Sequence, residues 1–523
     1  MHAPYDRSVS DTAVLDEAPP EEPAEPPRLR ALPRPTLSVP MPADRAMSWV
    51  WALVVTLVAL VLRLSGLSTP DSKIFDEIYY AKDSHDLVTH GVEQNGTENG
   101  PGFVVHPPLA KWFIGAGEWL FGYDSFGWRI ASVLIGTLAV LLLVRITRRM
   151  TRSTLLGCVA GLLMALDGLE FVQSRVAMLD IFVMFWILAA FGCLVVDRDH
   201  FRARLSRARI HAYAPLAGTG ATLVRQQLGI RWWRWGGALC LGLGLATKWT
   251  ALFYIPLFAL LVYFWDAGAR RTAGVGRPYV QTLVRSLAGW AGSGVLIVAV
   301  FLASWAGWFA TRTGWDRNWA AMQPGGLHGW GISALRGLWH YQYEMYYFHT
   351  HLHAYHPYRS EPWSWLIIGR PVAYYYSAKD GCGSPPCASE VLAIGTPALW
   401  WMFIPALIGV TWLWLARRDW RGAAVLVGFV ACFAPLLPYP ERTMFFFYAL
   451  PALPFLIIGV TLCLGMVLGP PEASRDRRII GVTTVATYVA IVALCFAFFH
   501  PILVGAHLDY AQWHHRMWFT TWI

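Results

Sequence analysis

Two adjacent carboxylates, Asp76 and Glu77, lie in the stretch IFDEIYYAKD at residues 74–83. This stretch follows the first long apolar segment of the chain almost directly. Acidic residues near the hydrocarbon core of a membrane protein are costly and are usually kept for function. A carboxylate can take the proton of a hydroxyl group while that group attacks an electrophile. We therefore predict that a catalytic loop begins here and that Asp76 is its general base.

The adjacency of Asp76 and Glu77 means that only one of them is expected to face a given cavity. Neighbouring side chains diverge on a helix and alternate on a strand. Each carboxylate also favours protonation of the other, which would raise the pKa of the base. Adjacency alone does not say which of the two is the base.

Further charged residues stand at the ends of apolar segments on the same predicted side. Arginine and lysine bind phosphate well, so a mixed set at one membrane face predicts a site for an anionic headgroup beside a proton transfer. The alternative is that these residues form ion pairs between helices or extend to the interface. The set comprises Arg129, Asp167, Glu170, Arg175, Asp180, Lys248, Glu441 and Arg442.

The composition indicates a helical membrane protein. Of 523 residues, 56% are hydrophobic and only 14% are charged, whereas about 25% are charged in soluble domains. The long apolar runs are continuous, unlike the short alternating strands of a membrane barrel. The net charge of +9 is expected to belong to cytoplasmic loops and not to a nucleic-acid site. A transporter would place charges near mid-membrane and show internal repeats, and neither is visible.

Apolar runs predict about eleven transmembrane helices. They fall at 48–66, 127–144, 153–168, 178–196, 235–248, 250–265, 286–306, 396–415, 422–438, 443–468 and 478–499. Arginine clusters at 145–152, 198–234, 270–285, 417–421 and 475–478 then alternate to one side, together with the N-terminus. The positive-inside rule makes that side the cytoplasm. We expect a multi-pass protein of the plasma membrane whose active site faces outward.

This topology predicts a simple domain organisation. Residues 1–47 are polar and Pro-rich and are expected to be a disordered cytoplasmic tail. Residues 48–500 form the transmembrane catalytic domain, with long outer loops at 67–126 and 307–395. Residues 501–523 form an extracytoplasmic C-terminal tail.

The second outer loop holds several candidate residues. Cys382 and Cys387 are predicted to form a disulfide, because the exterior is oxidising. Trp363 is considered as a floor under a sugar ring, with an interfacial or packing role as the alternative. Tyr341 and Glu344 lie in the same loop and are candidates for contact with the acceptor or the sugar. Histidines at 349, 351, 353 and 356 could bind a divalent cation, but no matching carboxylate set accompanies them, so no metal site is assigned.

The chain resembles the protein O-mannosyltransferases. The resemblance extends in order from about residue 50 to about residue 500. It rests on FDE at 75–77, HPPLAK at 106–111, LDG at 166–168, QSR at 173–175, LD at 179–180, GLGLATKW at 242–249, HPYRSEPW at 356–363 and PYPER at 438–442. Eukaryotic members carry a β-trefoil domain in the second outer loop, and the loop at 307–395 has no room for one. The chain therefore looks like the bacterial branch, and pairing of the eukaryotic kind cannot be assumed.

This resemblance implies an all-α polytopic membrane protein with a GT-C fold. The implied donor is polyprenyl-phosphate-mannose, the implied acceptors are Ser and Thr hydroxyls of secreted polypeptides, and the anomeric carbon is inverted. Protein translocation machinery is considered as a further partner. The alternative within the class is a transferase that moves another lipid-linked sugar onto a lipid or polysaccharide.

The resemblance also suggests roles for individual residues. It carries catalysis onto Asp76, with Glu77 beside it, and makes Arg129 a residue that holds either the loop or the donor. The residues expected around the donor phosphate and substrate are Arg129, Gln173, Arg175, Lys248, Arg442, His106 and His356. His106 has packing or capping as an equal alternative.

Overall fold

The computed structural model describes residues 37–95, 100–212, 229–325, 329–379, 386–470 and 472–523. Most of the predicted N-terminal tail and Cys382 lie outside these residues. The first part of the chain contains α1 (Arg45–Leu64), α2 (Glu77–His90), β1 (Gln94–Asn95), β2 (Gly100–Pro101), α3 (Leu109–Phe121), α4 (Ser125–Thr151), α5 (Thr154–Ala165), α6 (Gly168–Gln173) and α7 (Leu179–Ala212).

The middle part is helical until it enters a small sheet. It contains α8 (Trp232–Leu245), a 3-10 helix (Trp249–Phe253), α9 (Tyr254–Thr272), α10 (Pro278–Ser304), α11 (Ala306–Ala310), α12 (Trp319–Met322), α13 (Trp330–Thr350), α14 (Pro362–Trp365) and β3 (Val372–Lys379). The last part contains β4 (Cys387–Ala393), α15 (Pro397–Trp400), α16 (Phe403–Leu415), α17 (Trp420–Phe433), 3-10 helices at Ala434–Leu436 and Phe446–Ala452, α18 (Leu453–Leu468), α19 (Arg475–Leu503), β5 (His507–Asp509), α20 (Tyr510–His514) and a 3-10 helix (Thr520–Trp522).

Eight helical segments of the described chain are long and apolar enough to cross a membrane. They are Arg45–Leu64, Ser125–Thr151, Leu179–Arg207, Trp249–Thr272, Pro278–Ser304, Pro397–Leu415, Phe446–Leu468 and Arg475–Leu503. Each of them overlaps one of the predicted spans. The other three predicted spans coincide with the shorter helices α5, α8 and α17. The prediction of a multi-pass helical protein is confirmed, and the number eleven stays a prediction.

Burial arranges these helices in layers. The apolar windows of α7 and α18 are 72% and 78% buried, whereas those of α1 and α19 are 22% buried and that of α10 is 11% buried. A helix that is apolar all round but mostly exposed in the folded chain must face lipid. Helices α7 and α18 therefore form the centre of the bundle, and α1, α10 and α19 lie at its lipid-facing edge.

Side-chain caps fix where the helices of the site begin. The Oδ1 atom of Asp124 accepts the backbone N–H groups of Phe126 at 3.0 Å and Gly127 at 2.9 Å, which starts α4. Such caps satisfy N–H groups that have no partner inside the helix. Asp167 caps α6 in the same way and also accepts the indole N–H of Trp400 at 2.7 Å. Asp167 therefore has a structural role, which agrees with the alternative that charged residues at the segment ends connect helices.

One three-stranded antiparallel sheet, in the order β3–β4–β5, joins the second loop to the C-terminal segment. Ser389 of β4 pairs with His507 of β5, and Tyr376 of β3 pairs with Glu390 of β4. The apolar pattern of the sequence does not predict this sheet. It places Tyr374 of β3 against the loop that carries Asp76, and so it helps to build the site.

Candidate active site

A left-handed residue, Phe75, directly precedes the two adjacent carboxylates. Phe75 has φ of 48°, a conformation that a bulky side chain adopts only when its surroundings fix it. The Phe75 ring stacks on Tyr374 with 4.5 Å between the ring centroids, and Phe445 and Phe447 meet it edge-on. Glu77 is the first residue of α2, and Asp76 immediately precedes it. The two carboxylates therefore enter different surroundings.

Glu77 is fully buried, and its carboxylate is saturated with hydrogen bonds. Arg129 donates from Nε to Oε1 at 2.8 Å and from Nη2 to Oε2 at 2.9 Å. The backbone N–H of Ala177 donates to Oε1 at 2.9 Å, and that of Ile74 donates to Oε2 at 3.0 Å. Four donors occupy the lone pairs of the carboxylate and leave none pointing into a cavity. Glu77 ties the start of α2 to α4 and to the segment before α7.

Arg129 uses its remaining N–H groups on the first loop. Its Nη1 donates to the carbonyl oxygens of Leu67 at 3.1 Å and Pro70 at 2.8 Å, and its Nη2 donates to that of Ser72 at 2.8 Å. With the two bonds to Glu77, all five donors of the guanidinium are occupied. Of the two roles suggested for Arg129, this geometry favours holding the loop and leaves no N–H for a phosphate.

Asp76 differs from Glu77 both in the burial of its side chain and in its hydrogen bonding. Its side chain is half-buried and accepts no hydrogen bond from the described residues. Burial raises the pKa of Asp76 to about 6, with Lys248 opposing the rise and Asp180 adding to it. A carboxylate with free lone pairs and a pKa near neutrality is suited to accept a proton.

Lys248 is paired with Asp180, and its charge also lowers the pKa of Asp76. Its Nζ is 2.9 Å from both carboxylate oxygens of Asp180. The residue sits in extended conformation between α8 and the following 3-10 helix, so the break in the helix presents its side chain to the site. Nζ also lies 4.9 Å from the centroid of the Tyr448 ring.

Arg442 approaches the same ring. Its guanidinium carbon is 5.5 Å from the Tyr448 centroid. Its Nε donates to the backbone carbonyl of His349 at 2.9 Å, and the described residues offer it no carboxylate partner. Two cations, Lys248 and Arg442, thus flank one aromatic ring, with Asp180 as the single paired carboxylate. Arg442, which has no carboxylate partner among the described residues, is suited to bind an anion.

Two histidines form a neutral stack beside Arg442. The rings of His106 and His349 lie 5.1 Å apart, and Nε2 of His349 is 2.7 Å from the carbonyl oxygen of Val105. Because a carbonyl only accepts, Nε2 carries the proton and Nδ1 faces Nη2 of Arg442 at 3.5 Å. Burial lowers the pKa of His349 to about 4 and holds that of His106 well below its usual range. Nδ1 of His106 is buried and has no hydrogen-bond partner among the described residues.

Gln173 contacts the site through Tyr374. It is fully buried, and its Nε2 donates to the hydroxyl oxygen of Tyr374 at 2.6 Å. Its Oε1 is buried, and no group in the described part of the chain forms a hydrogen bond with it. Burial, with the nearby charges of Asp180 and Asp76, raises the pKa of Tyr374 well above its usual value, so the phenol keeps its proton.

Arg175 binds three backbone carbonyl groups. Its Nη1 donates to the carbonyl oxygens of Arg63 and Ser65, both at 2.6 Å, and its Nη2 donates to that of Gly66 at 2.8 Å. These carbonyls end α1, where a cation is favoured by the helix dipole. Burial lowers the pKa of Arg175 to about 10. These three bonds give Arg175 a capping role and leave its Nε–H and one Nη2–H, so the donor contact stays a prediction.

The remaining candidates are dispersed. His356 lies edge-on to Phe75 at 6.2 Å between ring centroids, at the border of the site. Tyr341 is buried in a separate aromatic cluster and accepts the N–H of Val104, which favours a packing role, and its contact with the acceptor or the sugar stays a prediction. Glu344 is half-buried, and Trp363 is 72% exposed on α14 without a ring contact to the described residues.

The cysteine and metal predictions stay open in part. Cys387 is disulfide-bonded, but its predicted partner Cys382 lies outside the described residues. No group of three or more His, Cys, Asp or Glu residues with metal-binding geometry occurs in the described part of the chain.

Four residues of the site were not assigned to it from sequence. Asp180 belongs to the set of charged residues at segment ends, and His349 belongs to the histidine run at 349–356. No such pattern includes Tyr374 or Tyr448. Tyr374 lies in a run of three tyrosines at 374–376. Reading that run as a strand with alternating faces would have marked it as a candidate.

Comparison with known proteins places this geometry in context. A family model described as the C-terminal four TMM region of protein-O-mannosyltransferase matches residues 334–522. A second, described as dolichyl-phosphate-mannose-protein mannosyltransferase, matches residues 105–205. Both matched segments contribute residues to the site, His106 and Gln173 from one and His349 and Arg442 from the other.

Relatives extend the match to nearly the whole chain. A polyprenol-phosphate-mannose–protein mannosyltransferase of Mycobacterium tuberculosis is 40% identical, covering 98% of this chain and 99% of that protein. One of Corynebacterium glutamicum is 35% identical, covering 91% and 93%. The structure of the Saccharomyces cerevisiae Pmt1–Pmt2 complex bound to the sugar donor has a TM-score of 0.66 at 14% identity, covering 93% of this chain and 94% of that chain. At that identity the likeness concerns the fold, and it confirms the GT-C expectation.

Proposed function

The chain belongs to the protein O-mannosyltransferase family, and we propose that Asp76 is the base with which it transfers mannose from polyprenyl-phosphate-mannose to protein hydroxyl groups. The carrying observation is the contrast within one dipeptide. Glu77 is buried under four hydrogen bonds, whereas Asp76 is unbonded, with a pKa of about 6. Only one of the pair is free to accept a proton.

Lys248 and Arg442 are proposed to hold the donor phosphate. Lys248 has three N–H groups and uses two on Asp180, and Arg442 has no carboxylate partner among the described residues. The unpartnered Nδ1 of His106 lies beside them. Fixed cations aimed at the leaving phosphate stabilise the charge that develops there.

The proposed step is a direct displacement. The acceptor Ser or Thr oxygen attacks the anomeric carbon of mannose while Asp76 takes its proton. The bond between that carbon and the phosphate oxygen breaks, and its electron pair leaves with polyprenyl phosphate. One displacement inverts the anomeric carbon and needs one carboxylate, whereas retaining mechanisms use a second carboxylate as nucleophile. The engagement of Glu77 with Arg129 fits the single-carboxylate mechanism.

The site is proposed to face outward at the plasma membrane. Asp76 follows the C-terminal end of α1, and Arg129 and Asp180 lie in the first turns of α4 and α7. Arginine clusters stand at the opposite ends of α4 and α7, and the positive-inside rule makes those ends cytoplasmic. Secreted Ser- and Thr-containing polypeptides, reached at or near the translocation machinery, are the proposed acceptors.

The test compares Asp76→Asn with Glu77→Gln in purified protein given polyprenyl-phosphate-mannose and a Ser/Thr-rich peptide. Asp76→Asn should bind donor normally but lose transfer by about a hundredfold to ten-thousandfold, the usual contribution of a general base. Glu77→Gln should lower the amount of folded enzyme more than the turnover of what remains. Near-normal turnover by Asp76→Asn at saturating substrates would reject Asp76 as base.

Two further arms of the same assay define the substrate and cofactor. A polyprenyl-phosphate pentose in place of the mannose donor tests the alternative sugar, and the proposal expects no transfer from it. A chelator arm tests a divalent cation, because charge neutralisation by Lys248 and Arg442 predicts undiminished activity.

A further inference from the structure

Helix α13 (Trp330–Thr350) is apolar on two opposite faces. One face, with Ala334, Leu338, Tyr341 and Met345, is buried at 4% exposure or less. The opposite face carries six large apolar or aromatic side chains that are 44% to 78% exposed, together with the half-buried Arg336. They recur at three- and four-residue intervals along most of the helix, which is the spacing of a single helical stripe. These exposed residues are Ile332, Leu335, Trp339, Tyr343, Tyr346 and Tyr347.

The buried face fixes the depth of α13 relative to the membrane. Tyr341 packs against Trp305 with 5.0 Å between ring centroids and against Trp308 at 6.4 Å. Trp305 directly follows Ser304, the last residue of α10. Because α10 is the least buried of the membrane-spanning segments, its end marks where the lipid-facing surface of the bundle stops. Helix α13 therefore lies at the membrane–water boundary.

We propose that the exposed stripe of α13 docks onto the bilayer interface on the side of the active site. Tryptophan and tyrosine prefer this region, because their rings are apolar and their N–H and O–H groups reach water. A stripe of Trp, Tyr, Leu and Ile suits lipid better than a Ser- or Thr-rich polypeptide, which would offer it polar groups. Arg336 on the same face is compatible with the interface, because an arginine can keep its stem in apolar surroundings while its guanidinium reaches the polar headgroups. The helix lies on the membrane without spanning it, as amphipathic interfacial helices do.

This docking also positions the site. The last turn of α13 carries His349, which meets both Val105 and Arg442. Movement of α13 toward or away from the bilayer would therefore shift Arg442, which is proposed to bind the phosphate of the lipid-linked donor. This consequence, unlike the docking itself, rests on the proposed function.

The docking is tested by cysteine labelling of the full chain in lipid nanodiscs. Trp339→Cys and Tyr343→Cys are exposed to a charged, membrane-impermeant maleimide, and the modified peptide is quantified by mass spectrometry. Tyr355→Cys is the matched control, because Tyr355 is an aromatic residue with 90% exposure in the loop after α13. Both α13 positions should react at least about tenfold more slowly than the control, because lipid excludes a charged reagent.

Other occupants of the stripe give different outcomes, and each would overturn the proposal. Equal reaction rates at all three positions mean that water covers the stripe. Protection that appears only with an acceptor peptide means peptide docking, and protection that grows with the number of chains per disc means a second copy. These rates need no activity, so they separate failure of the docking from failure of the proposed function.

The positioning consequence is tested by kinetics. The double substitution Trp339→Ser/Tyr343→Ser should raise the KM for donor severalfold in nanodiscs, whereas Tyr355→Ser should not change it. Trp339→Phe/Tyr343→Phe keeps the apolar rings and should restore the normal KM. An unchanged KM in a folded serine variant, or no restoration by phenylalanine, would overturn the link between docking and donor binding.

Discussion

At the scale of single residues, the structure distinguishes the roles of Asp76 and Glu77, which the sequence alone does not distinguish. The FDE motif predicted a base in this dipeptide, but the choice depends on partners far away in the chain. Glu77 is held by Arg129 and by the backbone of Ala177, which lie 52 and 100 residues distant. Such contacts leave no local signature. The contacts of Arg175 are hidden from the local sequence in the same way, because its three carbonyl partners at the end of α1 lie 109 to 112 residues away.

The pH dependence of transfer should report Asp76. Burial raises its folded-state pKa to about 6, so the base is protonated and inactive below that pH and becomes competent above it. Single-turnover rates should therefore increase as the pH rises through about 6. Removal of Lys248 by Lys248→Met takes away a charge that lowers this pKa, so the midpoint should move to higher pH. A rate that is flat between about pH 5 and 7 would contradict the role of Asp76, since a general base must be deprotonated to act.

At the scale of elements, Glu77 and Arg129 connect α2 to α4. Both side chains are at most 1% exposed. Removing one partner of a buried ion pair costs about 3–5 kcal/mol, because the other charge is left without compensation. Glu77→Gln should therefore lower thermal stability strongly, as measured by the folded fraction that survives heating.

Glu361→Gln is the matched control for this prediction. Glu361 pairs with Arg359 at 3.2 Å, and both side chains are about one-third exposed. Exposed pairs contribute about 0–1 kcal/mol, so this variant should melt close to the unaltered protein. Equal losses of stability in the two variants would show that Glu77 has no special structural role.

The contact between α3 and α4 depends on small residues. A Cβ atom at Gly127 would overlap the backbone carbonyl oxygen of Gly122, and one at Gly117 would overlap that of Gly127. Backbone atoms cannot move aside as flexible side chains do. Gly127→Ala should therefore destabilise the protein and displace Arg129, two residues further along α4.

Gly294→Ala in α10 provides the comparison. No atom lies within 4 Å of a Cβ built there, so only helix propensity acts, and alanine is favoured over glycine by about 1 kcal/mol in a helix. Thermal melting should show a loss for Gly127→Ala and no loss for Gly294→Ala. No loss at Gly127 would mean that α3 and α4 pack less closely than described.

The elements themselves were largely predictable, because spans in lipid must be long, apolar and helical. Every predicted span coincides with a helix. The short sheet was missed because its strands pair residues of the second loop with the C-terminal segment, as Cys387 with Asp509. Pairing at that distance depends on the bundle bringing both segments together, and the apolar pattern does not contain this information.

At the scale of the whole molecule, the contacts of the site constrain how many times the chain crosses the membrane. Lys248 contacts Asp180, so the chain must return to the side of Asp180 after the arginine-rich end of α7. Helix α8 is the segment available for this crossing. Its 14 residues extend only about 21 Å at 1.5 Å per residue, less than the roughly 30 Å of a hydrocarbon core. Arg442 contacts His349, which requires an even number of crossings between them, supplied by α16 and α17.

Reporter fusions test this topology. Helices α8, α9 and α10 lie between positions 209 and 360 and give three crossings, so fusions after Arg209 and after Ser360 should lie on opposite sides of the membrane. The first should report the cytoplasm and the second the exterior, because arginine clusters mark the cytoplasmic side. A fusion after Gly274 is the internal control and should match the one after Arg209, since α8 and α9 together cross twice. If Arg209 and Ser360 report the same side, α8 and α9 form one broken crossing, and Lys248 could not then reach Asp180 at the outer face.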